Sequence, residues 1–218
     1  MSRVLVGITG SVAAIRAPEL VASLGAAGHE IKLVLTESAR YFVDLMNVSQ
    51  MAAVVAVHQD ADEWPVGGYT RGDRVLHIDL RSWADILVVA PLDAHTLAKF
   101  ALGLSDNLLS CVFRAWDFDR PVVLAPAMNT RMWESPVTRR HLAQLLEDRS
   151  LSAAPACWTL AEVAETFACH APSLVLVPPQ SKKLACGDVG MGAMAEIDSI
   201  TNAVWNWTQP LEDSAEPA

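Results

Sequence analysis

The sequence predicts an α/β fold: a doubly wound parallel sheet with helices on both faces, within a single domain. The chain has 218 residues and is 52% apolar, which suits one domain with a substantial core. Its apolar runs are continuous rather than alternating, as is typical of strands buried on both faces. Helix-like segments separate these runs, and such alternation indicates parallel strands joined by crossover helices.

The elements follow from these runs in chain order. Strands are predicted over residues 4–8, 31–35, 86–90, 122–125 and 174–177. Helices are predicted over 12–27, which ends before Gly28, and over 37–43, 94–101, 107–115, 136–147 and 199–207. Together these elements give one domain over 1–208, followed by an acidic tail, 209–218, that we expect to be disordered.

Charge and cysteine content exclude several classes of protein. The formal net charge is -9, which opposes binding to nucleic acid. No apolar run approaches the roughly 18 residues that cross a bilayer, so no membrane span is predicted. The four cysteines form no C-x-x-C pair, which indicates free thiols in a reducing, cytoplasmic compartment. No metal site is predicted.

The loops after the predicted strands are where a ligand is expected in an open parallel sheet. Thr9-Gly10-Ser11 joins the first strand to the first helix, where backbone N–H groups and hydroxyls can hold one phosphate. A tight turn capped by Ser11 explains the same residues. Thr36 and Ser38, after the second strand, would add hydroxyls. Glu37 is alternatively the ribose-binding acid of a nicotinamide dehydrogenase, although the G-x-G-x-x-G fingerprint is absent.

Three further side chains are candidates for chemistry. If 75–80 is an extended strand, His77 faces away from its apolar side, and a solvent-facing histidine is the alternative to a functional one. Asn129 precedes a helix, so it either caps that helix or binds a carboxylate. Cys186 follows Lys182 and Lys183 in a glycine-rich segment, where the cations would lower the pKa of its thiol. An incidental loop cysteine is the alternative for Cys186.

The order of these motifs along the chain is more specific than any one of them. They read TGSVAA at 9–14, LHIDL at 76–80, APLDAHT at 90–96, PAMNTRMW at 126–133 and KLACGD at 183–188. In this order they resemble the homo-oligomeric flavin-containing cysteine decarboxylases, in particular the members that act on 4'-phosphopantothenoylcysteine. The resemblance covers about residues 3–200, and it implies a flavodoxin-like or Rossmann-like sheet.

The resemblance implies an FMN-dependent carboxy-lyase of coenzyme A biosynthesis that yields 4'-phosphopantetheine. The substrate thiol is oxidised to a thioaldehyde, CO2 leaves, and the ene-thiol is reduced again. By resemblance, His77 is the acid/base near that thiol and Cys186 the proton donor of the final reduction. The implied substrate-binding residues are Asn129, Met132, Lys182 and Lys183. The implied flavin-binding residues are Gly10, Ser11, Val12, Thr36, Ser38, Asp93, Ala94, His95, Thr96 and Ala127.

The resemblance also implies a homotrimer with the flavin at a subunit interface. Two departures from the family pattern are visible in the sequence. His95 replaces an asparagine, and about 152–173 is an extra segment that we expect to be a surface excursion. The alternative functions are a regulatory, halotolerance-type flavoprotein that binds a protein phosphatase and an oxidative peptidyl-cysteine decarboxylase.

Overall fold

A six-stranded parallel sheet forms the centre of the computed structural model, which describes residues 1–151, 155, 157–183 and 189–208. Its strands are β1 (Arg3–Ile8), β2 (Glu30–Leu35), β3 (Val54–Gln59), β4 (Ile86–Leu92), β5 (Val122–Pro126) and β6 (Leu174–Leu176). Their order across the sheet is β3-β2-β1-β4-β5-β6, with every pair parallel. The strand order reverses between β1 and β4, which confirms the predicted doubly wound fold.

Helices connect the strands, and a small antiparallel hairpin follows β6. Among the described residues the α-helices are α1 (Ala17–Ala26), α2 (Leu45–Ser49), α3 (Asp60–Glu63), α4 (Leu76–Trp83), α5 (Ala94–Leu102), α6 (Leu108–Arg114), α7 (Thr130–Trp133), α8 (Pro136–Arg149), α9 (Val163–His170) and α10 (Ile197–Thr208). Short 3-10 helices span Val12–Arg16 and Glu37–Tyr41, and the hairpin consists of β7 (Gln180–Lys183) and β8 (Val189–Ala193). Within this part of the chain, no helix has the length and apolarity to cross a bilayer.

Apolar layers cover both faces of the sheet. Leu5 of β1 belongs to a layer formed with α4, α5, α6, α8 and α9, whereas Val4 and Val6 belong to the opposite layer, with α1 and α10. All three side chains are fully buried. Because successive strand residues point to opposite faces, an internal strand is apolar at most positions, and Lys32 of β2 is an exception whose ammonium lies over the ring of Trp83. Burial on both faces explains the continuous apolar runs in the sequence.

Several elements were not predicted, among them α2, α3, α7 and the β7–β8 hairpin, and two differences from the expectation have a clear physical reason. β3 was not predicted, because it is an edge strand whose side chains are mostly half-exposed and do not form a continuous apolar run. The expectation of an extended strand over 75–80 is wrong, because this segment begins α4. Its apolar residues Leu76, Leu80 and Trp83 recur at helical spacing and pack against one core layer,.

The extra segment is integrated into the core rather than forming the surface excursion that we expected. Trp158 is buried, and Val163 and Phe167 of α9 are fully buried against the layer that includes α8. The guanidinium of Arg139 on α8 also donates to the backbone oxygen of Trp158 at 2.8 Å. Residues 152–154 and 156 of this segment, and the predicted tail 209–218, lie outside the described residues.

Replacing Phe167 with alanine should destabilise the protein by about 3–5 kcal/mol, because it removes a fully buried aromatic ring and leaves a cavity,. Glu165→Ala on the exposed face of the same helix is the matched control and should change stability by less than about 0.5 kcal/mol. Urea unfolding of both variants measures the difference. Equal midpoints for the two variants would show that α9 is not part of the core.

Candidate active site

The loops that follow β1, β2 and β4 converge where the strand order reverses. Gly10 is the point of closest approach, because a Cβ at this position would lie 2.6 Å from the Cβ of Ser38 and 3.3 Å from Oδ2 of Asp93. Contacts this short are not tolerated, so the turn requires glycine. The three loops that the sequence analysis named as ligand-binding therefore meet at one point of the structure.

The hydroxyl of Thr9 has a structural role and is not part of the phosphate-binding surface that its position suggested. Thr9 is fully buried. Its Oγ1 donates to the backbone oxygen of Pro91 at 2.8 Å and accepts from the backbone N–H of Asp93, also at 2.8 Å. These two bonds fasten the turn after β1 to the end of β4.

Two of the three remaining hydroxyls of the predicted anion site, those of Ser11 and Thr36, lie on helix-capping residues. Ser11 and Thr36 cap the two 3-10 helices, accepting from the N–H groups of Ala13 and Ala39 respectively. The hydroxyl of Thr36 lies 3.2 Å from that of Ser38, which is exposed. We call Gly10, Ser11, Thr36, Ser38 and Asp93 together the switch-point cradle.

Asp93 also determines how α5 begins. Its Oδ1 accepts from the N–H of Thr96 at 2.7 Å and caps the helix. Thr96 is buried, Ala94 is half-buried and His95 is exposed at the start of α5. The residue that departs from the family pattern therefore presents its imidazole at the surface beside the cradle.

The loop after β5 connects the sheet to the hairpin. The N–H of Ala127 donates to the backbone oxygen of Leu92, and that of Met128 donates to the backbone oxygen of Gly192 on β8, both at 2.9 Å. Gly192 has φ +137°, and a Cβ there would collide with the backbone oxygen of Met128. The hairpin is thus held against this loop by main-chain contacts.

Asn129 lies at the end of this loop and caps α7. Its Oδ1 accepts from the N–H of Arg131 at 2.9 Å, so helix capping accounts for part of its role. Met132 on α7 is exposed, and Thr130 lies against Gly190 of β8, where a Cβ would come within 2.6 Å of Thr130 Oγ1. The hairpin therefore borders Asn129 on the side of α7.

His77 belongs to a third group of side chains, near the start of α4. Its Nδ1 lies 2.5 Å from Oε1 of Glu63, and its backbone N–H donates to Oε2 of the same carboxylate at 3.0 Å. The imidazole keeps 22% of its surface exposed, whereas the Glu63 side chain keeps only 5%. The helical geometry of α4, rather than a strand, places His77 beside this buried carboxylate.

Asp60, on the same helix as Glu63, connects α3 to the loop after β2 and to the start of α6. Its carboxylate accepts from the N–H of Glu37, which follows the cradle residue Thr36, and from the N–H of Leu108 at the start of α6, at 3.0 and 3.3 Å. Burial raises the pKa of Asp60, and the two backbone N–H groups oppose that shift,. α3 is thereby tied both to the loop after β2 and to α6.

Lys182 is paired with a carboxylate rather than left open to a ligand. Its ammonium contacts Glu196, which also accepts from Nη1 of Arg16 at 3.3 Å. The hydrogen bond from Lys182 holds the pKa of Glu196 below its usual value. The side chain of Lys183 and the whole of Cys186 lie outside the described residues.

The structure thus brings some predicted residues together and leaves others in separate groups. The switch-point cradle is one cluster, the Asn129 loop with the hairpin is a second, and His77 with Glu63 is a third. Sequence reasoning did not identify Glu63. Its acidic segment, 60–63, carries no recognisable motif, and nothing in a single sequence relates residue 63 to residue 77 across the intervening segment.

This fold, with a cradle where the strand order reverses, is typical of nucleotide-binding α/β proteins. The chain belongs to the Flavoprotein family, which matches residues 1–209. It is 46% identical over 203 residues to the phosphopantothenoylcysteine decarboxylase of Mus musculus, covering 93% of this chain and 85% of that protein. The expected family is therefore confirmed.

Solved structures agree with this family assignment. A PPC decarboxylase cysteine-to-serine mutant complexed with pantothenoylaminoethenethiol has a TM-score of 0.76 and 41% identity, covering 94% of this chain and 97% of that chain. The FMN binding protein AtHal3 has a TM-score of 0.73 and 42% identity, covering 95% of this chain and 96% of that chain.

Thr9→Val should destabilise the protein by about 1–3 kcal/mol, because it leaves the buried Pro91 oxygen and Asp93 N–H without their partner,. Thr9→Ser retains the hydroxyl and serves as the control. Thermal unfolding of both variants tests the effect. A valine variant as stable as the serine variant would contradict the structural role assigned to this hydroxyl.

Proposed function

We propose that this protein catalyses the FMN-dependent decarboxylation of 4'-phosphopantothenoylcysteine to 4'-phosphopantetheine. The reaction proceeds by oxidation of the substrate thiol to a thioaldehyde, loss of CO2 and reduction of the ene-thiol. The close approach of Gly10 to Ser38 and Asp93 carries the proposal. It forms a ligand cradle at the switch point of a chain whose relatives of 46% and 41% identity are named for this decarboxylation.

The cradle fits a flavin mononucleotide. Gly10 lets the backbone approach the ligand, and the turn supplies N–H groups and hydroxyls suited to one phosphate. The residues that would hold FMN are Gly10, Ser11, Val12, Thr36, Ser38, Asp93, Ala94, His95, Thr96 and Ala127. When bound, FMN supplies hydride acceptance and hydride return at the carbon that bears the substrate thiol.

The chain's own residues would handle the charges and protons of this reaction. His77 exchanges a proton with the substrate thiol through the ring nitrogen that does not face Glu63. Asn129 binds the substrate carboxylate, because an amide hydrogen-bonds an anion without competing for its proton. Cys186 donates the proton in the final reduction. Lys182 and Lys183 of β7 and Met132 of α7 bind the anionic substrate, and Lys182 exchanges its pairing with Glu196 for the ligand when the substrate enters.

A homotrimer in the cytoplasm, with the flavin between subunits, is part of this proposal. His77 and the switch-point cradle belong to separate clusters, so a histidine supplied by a neighbouring copy would complete the site. Val12, Ile15 and Met132 are large, exposed apolar side chains on the helices that follow the cradle turn and Asn129. A second copy of the chain would cover them.

Decarboxylation is favoured over the alternative functions by particular residues. Glu37 is exposed and forms an ion pair with Arg40 at 2.8 Å, which does not favour the ribose-binding role of a nicotinamide dehydrogenase. Cys186 favours a reductive final step over purely oxidative peptidyl-cysteine decarboxylation. For a phosphatase-binding regulator, a pull-down with phosphatase catalytic subunits provides the test.

The purified protein should bind FMN, release CO2 from 4'-phosphopantothenoylcysteine and yield the saturated thiol, as measured by mass spectrometry. Gly10→Val should weaken FMN binding at least about tenfold, because its side chain would fill the cradle,. Ala26→Val, at an exposed position of α1, is the control and should bind FMN normally. A wild-type protein that neither binds FMN nor consumes the substrate would refute the proposed function.

Cys186→Ser should accumulate the oxidised ene-thiol, because the hydroxyl is a much weaker proton donor than the thiol it replaces. Cys157→Ser, at an exposed cysteine, is the matched control and should release the saturated product. Mass analysis separates the two products by two hydrogen atoms. Saturated product from Cys186→Ser at the wild-type rate would remove the role proposed for this thiol.

A further inference from the structure

Glu63 is the most deeply buried carboxylate beside a candidate catalytic side chain. Its side chain is 5% exposed, and both of its oxygens face one residue. Oε1 lies against Nδ1 of His77, and Oε2 accepts the backbone N–H of His77. Burial of a carboxylate costs free energy unless hydrogen bonds compensate it. Both of these compensating contacts are made to the histidine.

The position of Glu63 is fixed by its helix. α3 begins with reciprocal capping between Gln59 and Asp62, in which the N–H of Gln59 donates to Oδ2 of Asp62 at 2.8 Å. Asp60, in the same turn, holds the loop after β2 and the start of α6. A carboxylate on such an anchored turn has little freedom to leave His77.

Capping of α4 alone would account for only part of this arrangement. Val75, the residue before α4, offers no side-chain cap, and the Oε2 contact with the N–H of His77 supplies one. The Oε1 contact with the ring is additional. An ionised carboxylate facing Nδ1 selects the tautomer with the proton on Nδ1, which leaves Nε2 as the basic nitrogen.

We propose that Glu63 is the positioning residue of His77, fixing its ring orientation and its Nδ1–H tautomer so that Nε2 exchanges the proton with the substrate thiol. This inference rests on the proposed function for the role of His77, whereas the tautomer itself does not depend on turnover. The same logic orients imidazoles in other acid/base pairs, where a carboxylate on one nitrogen determines the chemistry of the other.

The test compares Glu63→Gln with Asp62→Asn in the full-length, FMN-loaded protein. Both changes remove one negative charge from α3, but only the first contacts the imidazole. Glu63→Gln should lower kcat roughly 10- to 100-fold with KM nearly unchanged. Asp62→Asn keeps a side-chain oxygen that can accept from the N–H of Gln59,, so α3 should stay capped and kcat should remain within about twofold. Glu63→Asp, which keeps the charge on a shorter side chain, should recover part of the lost kcat.

Nitrogen NMR of histidine-labelled protein provides the second readout, with His77→Gln used to assign the signal. The wild type should show the Nδ1–H tautomer, and Glu63→Gln should shift the ring toward the Nε2–H form. Unchanged tautomer and kcat in Glu63→Gln would overturn the inference. So would equal losses of kcat in Glu63→Gln and Asp62→Asn, because that result indicates a general effect on α3. An inactive wild type with the expected tautomer change would instead refute the proposed function alone.

Discussion

The fastening of the β1 turn to the end of β4 is the constraint on which the site depends. These strands are neighbours in the sheet, but two other strands, β2 and β3, lie between them in the chain, so their loops meet only if something holds the loops together. Thr9 does this with one buried hydroxyl, which satisfies a carbonyl and an N–H of the opposite loop. Gly10 then permits the loop after β2 to approach the same point. The cradle is therefore a product of sheet topology, fixed locally by one hydroxyl and one missing side chain.

Different parts of the fold position the three clusters of the site. The switch-point cradle is carried by strand ends in the middle of the sheet. The Asn129 loop depends on main-chain hydrogen bonds to β4 and β8. The position of His77 depends on its contact with Glu63 of α3, the short helix that follows β3. The exposed ion pairs around Lys182 and Glu196 add little stability by comparison. Backbone contacts therefore determine the positions of the polar groups of the site. Contacts between side chains determine how these groups are oriented.

Much of the fold follows from the sequence, because an internal parallel strand must be apolar on both faces. The runs containing Val6, Val88 and Val123 satisfy that rule, and all three residues are fully buried. The side chains of β3 are mostly half-exposed, so the rule does not apply to it, whereas β6, the other edge strand, is mostly buried and was predicted. The segment around His77 was misassigned because its five residues fit both an alternating and a helical pattern, and only Trp83 extends the helical one. The pairing of Glu63 with His77 is a tertiary contact with no local signal.

The way the β7–β8 hairpin is attached limits which sequence changes this part of the protein can tolerate. It is attached to the Asn129 loop through a carbonyl of Gly192 and by two glycines, Gly190 and Gly192, that admit no side chain, so its docking depends on the register of its backbone. An inserted or deleted residue would exchange the two faces of the strand and move both glycines out of register. Natural variation in this hairpin should therefore conserve its length and both glycines.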